Sequence, residues 1–118
     1  MSRLIVLMVL VASSAWAGEA DVIEARVAKT ADLTYRFEVT VKHADTGWDH
    51  YANKWDLLGP DDTILGTRVL LHSHVAEQPF TRSLGGINVP KGIESVTVRA
   101  HDSVHGYGGE QRTVKIPR

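Results

Sequence analysis

Cysteine is missing from all 118 residues of this chain. That excludes disulfide staples, thiolate metal sites and a cysteine nucleophile, and without a lipobox cysteine the sequence reads against a lipoprotein. Methionine is almost missing as well: the two present are Met1 and Met8, both near the N-terminus. Once that segment is removed no sulfur remains, so a soft cation such as Cu⁺ finds none of its preferred ligands. No sign of charge dominates, with 13 Lys+Arg against 14 Asp+Glu and a formal net charge of -1. That balance argues against a nucleic-acid-binding stripe and against a polybasic patch for anionic lipid. Long apolar runs are absent beyond the N-terminus, so no membrane span is expected there. No stretch keeps a helical period, and no repeat, linker or low-complexity tract occurs.

What is present begins with an export signal. Arg3 is followed by an apolar run over residues 4–12 and then by Ser13-Ser14-Ala15-Trp16-Ala17. A basic start, a short apolar stretch and an Ala-x-Ala end make a cleavable signal peptide over residues 1–17, with a retained membrane anchor as the rival reading. The run is too short for a bilayer, which takes about 20 residues. Residues 18–118 then form one domain, expected in the periplasm or secreted. A domain of about 100 residues can stand on its core without staples, with modest stability.

Period-2 alternation marks the strands. Ile23, Ala25 and Val27 share a face over 21–29, and residues 30–32 turn. Leu33, Tyr35, Phe37, Val39 and Val41 alternate with Thr34, Arg36, Glu38, Thr40 and Lys42, the pattern of a half-buried antiparallel strand. A third strand is expected over 50–58 with Tyr51, Trp55 and Leu57 inward, a fourth over 63–72 and a fifth over 80–84 followed by a Gly85-Gly86 bulge. The sixth covers 94–101 with Val96, Val98 and Ala100 inward, and the last 111–116. Seven short strands with frequent turn signals predict an all-β, seven-stranded antiparallel sandwich of the immunoglobulin or fibronectin III kind. A cupredoxin-like sandwich or a small barrel is the alternative.

The histidines are not scattered evenly over such a fold. Strands that alternate in direction send successive loops to opposite ends. Residues 30–32, 59–62 and 89–92 share one end and hold no histidine. The B–C, C′–E and F–G loops, near residues 43–50, 72–79 and 101–110, share the other end and hold all six: His43, His50, His72, His74, His101 and His105. In the fibronectin order the C′, C and F strands are neighbours, which aligns His72, His50 and His101 across one rim. Asp45, Asp49 and Asp102 lie nearby and can ligate or orient an imidazole. Imidazole and carboxylate without thiolate suit zinc or copper(II), and also nickel(II). The chosen ligands are His50, His72, His74 and His105, with His43 and His101 as alternates. Taken singly, each of these is more simply a solvated loop histidine.

Loop aromatics Trp48 and Tyr107 are candidate anchors for a partner protein, as is Arg82 on the fifth strand. The glycines around Tyr107 suit tight turns and form no phosphate loop. No nucleophile elbow and no carboxylate pair for glycoside chemistry is present. The expected function is therefore a monomeric metal carrier, buffer or sensor. An immunoglobulin-like module that holds an envelope protein without metal is the alternative, and a weak metallohydrolase the third reading.

Three blocks carry a resemblance: Gly47-Trp48-Asp49-His50-Tyr51-Ala52, the run from Glu77 to Leu84, and Val104-His105-Gly106-Tyr107-Gly108-Gly109. Together they resemble a family of small exported proteobacterial proteins to which no activity is assigned. The resemblance implies a periplasmic location and brings no catalytic residue.

Overall fold

Tyr35, Phe37, Val39 and Val41 are fully buried, while Arg36 and Glu38 between them and Lys42 after them are exposed. This alternation puts one wet face and one dry face on a single strand, and the chain folds to cover the dry face. The computed structural model describes residues 18–118. The segment read as an export signal lies outside them. Among the described residues seven strands form: β1 (Asp21–Ala31), β2 (Thr34–Lys42), β3 (Ala52–Leu58), β4 (Ile64–Val69), β5 (Phe80–Asn88), β6 (Ser95–Asp102) and β7 (Arg112–Lys115). They pair as two sheets, β1-β2-β5 and β4-β3-β6-β7, with every pairing antiparallel. The sheets do not close on one another, which sets aside the small barrel. Trp55, Leu57, Val96 and Val98 from one sheet meet Phe37, Val39 and Val41 from the other in one apolar cluster. Among the described residues no helix is long and apolar enough to cross a membrane.

Three local details depart from simple alternation. The first hairpin closes at Asp32-Leu33, since Ala31 pairs directly with Thr34. Leu33 sits there in the left-handed region at φ 59, so it belongs to the turn rather than to the inward row where alternation placed it. In β1 the register shifts between Val22 and Glu24. Val22 is fully buried and Ile23 becomes the extra residue of the bulge, which corrects the expected Ile23-Ala25-Val27 face. The Gly85-Gly86 bulge occurs as expected: Phe37 pairs Leu84 while Tyr35 pairs Ile87, with Gly86 at φ 67.

Antiparallel order then fixes which loops meet. The stretches 43–51, 70–79 and 103–111 all leave the same end of the two sheets, and they hold five of the six histidines outright. The sixth, His101, is the penultimate residue of β6.

Candidate metal centre

The inward row of β2 does not stop where the strand stops. His43 and Asp45 continue it, at 3 % and 7 % exposure, after Tyr35, Phe37, Val39 and Val41. The inward row of β6 does the same: Val96, Val98 and Ala100 are followed by Asp102, which is fully buried. Two apolar rows, one from each sheet, thus end in polar side chains that face each other across the end of the sandwich.

They meet in one network. His43 Nε2 contacts Asp102 Oδ2 directly, and His43 Nδ1 lies 2.5 Å from Asp45 Oδ1. His50 Nε2 lies 2.6 Å from the same Asp102 oxygen. His50 is placed by a tight turn: its N–H donates to Gly47 O, its carbonyl accepts from Thr46, and Gly47 takes φ 126, which only glycine adopts readily. Both carboxylates also stitch loops together. Asp45 accepts the backbone N–H of Ala52 at 3.2 Å and of His74 at 2.6 Å. Asp102 accepts the N–H groups of Val104 and His105 at 2.6 and 2.7 Å. Burial alone pushes the Asp102 pKa upward. The two backbone donors, the His43 charge and the His50 bond outweigh it, and the net shift is downward.

This group can hold a metal ion. One ligand atom from each of His43, His50 and Asp102 lies within 4.8 Å of the other two. Two imidazoles and a carboxylate form a donor set that zinc, copper(II) and non-haem iron(II) accept. Asp45 bonds the far nitrogen of His43, as the carboxylates behind metal-bound histidines do. With metal–nitrogen bonds of about 2.0–2.1 Å and tetrahedral angles, two imidazoles on one ion have ring centroids about 5 Å apart. The His43 and His50 centroids are 4.8 Å apart. Seating an ion requires the donor atoms to part from hydrogen-bond contact to about 3.3 Å.

The other sequence candidates take different places. His74 is buried, stacked on Phe80 at 4.0 Å, and neither ring nitrogen has a hydrogen-bond partner. Burial, then the nearby Arg82 and His72, lower its pKa. Exposed His72 lies 5.0 Å from it, centroid to centroid. His105 is exposed, 5.0 Å from His50. His101 points off the core face, as parity predicted, but away from the cluster: its Nδ1 pairs with Asn53 Oδ1 at 2.6 Å and its ring meets Tyr107 at 4.7 Å. Burial lowers its pKa first, and Lys54 adds to that. The expected row of His72, His50 and His101 does not form. Instead β4 ends at Val69 and β3 begins at Ala52, so the row reads Val69, Lys54, His101.

The partner-anchor candidates divide as well. Trp48 is 65 % exposed and rests edge-on against Tyr51. Tyr107 is tied into the fold: its hydroxyl donates to Asp56 at 2.7 Å, and the Arg99 guanidinium lies 3.8 Å over its ring. Arg82 pairs with Glu77 at 2.9 Å.

No known protein family matches the chain, and no solved structure does. A protein of Halomicrobium mukohataei with the printed name "Putative lipoprotein" is 42 % identical over 96 residues, covering 81 % of this chain. The chain spans about half the length of that relative, 47 %. That organism is an archaeon, whereas the resemblance seen in the sequence pointed to proteobacterial proteins.

Proposed function

We propose that this is an exported protein that binds one divalent transition-metal ion, zinc or copper(II), as a carrier, buffer or sensor. The observation that carries the reading is the convergence of His43 Nε2 and His50 Nε2 on one oxygen of buried Asp102, with Asp45 holding the far side of His43. Export to the periplasm or beyond is supported by the signal-like N-terminus and by the name of the haloarchaeal relative. The strand order supports assignment to the fibronectin III arrangement, with A, B and E in one sheet and C′, C, F and G in the other.

The test is elemental analysis of protein purified without a histidine tag. Stoichiometric zinc or copper is expected in the parent protein and in His101→Ala, whose ring faces elsewhere. It is lost in His50→Ala. A parent protein that stays metal-free when dialysed against either ion overturns the reading.

A second reading rests on a separate observation. Among the described residues, five of the seven exposed large hydrophobic ones, Trp48, Leu71, Val75, Val104 and Tyr107, lie in the three loops at the histidine end. Clustered exposed apolar side chains mark partner surfaces. On this reading the same end holds an envelope protein, and a metal-free chain that captures one such protein supports it.

A further inference from the structure

We infer that His105 is the fourth ligand of the His43–His50–Asp102 centre and the port through which the ion enters and leaves. This deepens the metal reading above and rests on it.

The three grouped ligands leave one tetrahedral position open. Burial shows which side it must face. The His43 and Asp102 side chains are fully enclosed, and His50 is 14 % exposed. An ion therefore reaches the centre past His50. His105 stands on that side: it is exposed, and its ring centroid lies 5.0 Å from that of His50. That is the spacing of two imidazoles sharing one tetrahedral ion, about 5 Å. His72 and His74 show the same spacing, but only to each other, whereas His105 stands outside the group of three as its ring lies and borders it through His50. His101 lies on Asn53 and Tyr107, away from the centre.

The backbone under His105 is anchored on the centre itself. Its N–H donates to Asp102 Oδ1, the other oxygen of the ligating carboxylate. Gly106 follows at φ 72 and closes the turn back onto Asp102 through two backbone hydrogen bonds of 2.9 and 3.0 Å. The loop is thus held at its base while the ring stays at the surface. A ligand placed this way can take an ion at the surface and deliver it to His50. It also offers the ion to an acceptor by exchange of one ligand at a time, which suits a carrier more than a permanent structural site.

The experiment uses the full chain loaded with copper(II), compared with His105→Ala. Electron spin-echo methods count coordinated imidazoles, and transfer to a colorimetric chelator gives the exchange rate. Three imidazoles are expected in the parent protein and two in His105→Ala. The variant should bind more weakly by at least the about 10- to 100-fold that loss of an outer-shell partner costs, and should exchange at a clearly different rate. Circular dichroism should be unchanged, because the backbone bonds to Asp102 need no side chain. Equal imidazole counts and equal exchange rates in the two proteins overturn the role of His105 while leaving the three-residue centre standing. Failure of the parent protein to bind copper overturns both.

Discussion

His43 and Asp102 form a fully buried imidazole–carboxylate contact between the two sheets, although 59 residues separate them in the chain. Each continues an inward row of apolar side chains. A charge-capable pair in that place holds the end of the sandwich closed, and it does so by joining β2 to β6 directly rather than through a neighbouring strand. It has little tolerance for loss of one partner, since the other is then left buried without compensation.

Asp102→Asn tests that dependence. The carbonyl oxygen of asparagine can still accept the Val104 and His105 N–H groups, but the charge facing His43 and His50 is gone. We expect a loss of about 3–5 kcal/mol in urea unfolding, together with loss of metal uptake. A change below about 1 kcal/mol, the scale of a surface pair, contradicts the buried-pair account.

Acid stability should depend on Asp56. Burial raises the pKa of this carboxyl, yet bonds from Tyr107, Thr67 and Arg99 and the charge of Lys54 bring it below 3.8. A depressed carboxylate contributes stability that is fully present above the unfolded value and is lost as pH falls below it. Removing the hydroxyl in Tyr107→Phe should cost about 1.5–3 kcal/mol near neutral pH, the range for a hydrogen bond to a charged group. Once pH has fallen through the lowered folded value of Asp56, the variant and the parent should converge. Parallel stability curves down to that pH would count against this assignment.

The buried His74 ring gives a prediction of opposite kind. Its pKa is lowered from 6.5, chiefly by burial, so the folded protein resists its protonation while the unfolded chain accepts it. Stability should therefore decline as pH drops through 6.5, over and above the carboxylate effects. His74→Phe keeps the stack on Phe80 and removes two ring nitrogens that have no hydrogen-bond partner, at the loss only of a 3.9 Å contact between Nδ1 and Asp45 Oδ2. It should be neutral or stabilising by about 1–3 kcal/mol and should flatten that part of the pH profile. Marked destabilisation would mean that the ring nitrogens have a partner in solution.

Gly109 should resist enlargement. A Cβ there would fall on the carbonyl oxygen of Ala20 and lie 2.7 Å from Asp21 Oδ1. The same segment is bonded to β1 through Glu110 N–H to Asp21 at 2.7 Å and Val22 N–H to Glu110 at 2.9 Å. Gly109→Ala should cost about 1–3 kcal/mol by overpacking and should disturb the loop that carries His105. Gly92→Ala, with open space around its Cβ, is the control and should be close to neutral. Equal melting temperatures for the two variants would refute the close packing.

The all-β class, the seven strands and the gathering of histidine-bearing loops at one end were all legible from residue order. Alternation in segments such as 33–42 and 94–101 has one stable solution: bury one row and wet the other. The signal for Asp102 was legible too, for it shares parity with Val96, Val98 and Ala100, and a carboxylate in an apolar row needs a buried partner. Counting in twos failed wherever the chain inserts a residue. The bulge at Ile23 moved one inward face. The late start of β3 placed His50 in a turn, where no parity rule governs it.

The sequence by itself determined that this is a sulfur-poor β protein with its imidazoles at one end, because those properties follow from composition and local period. Only the tertiary structure decided which imidazoles share a centre. It joined His43 and His50 through Asp102, set His105 beside them and turned His101 to the far face of the sheet. The physical reason is that side-chain meetings across two sheets depend on bulges and strand ends, each of which shifts a residue by a few ångströms, while a metal centre requires its donors to agree within about one.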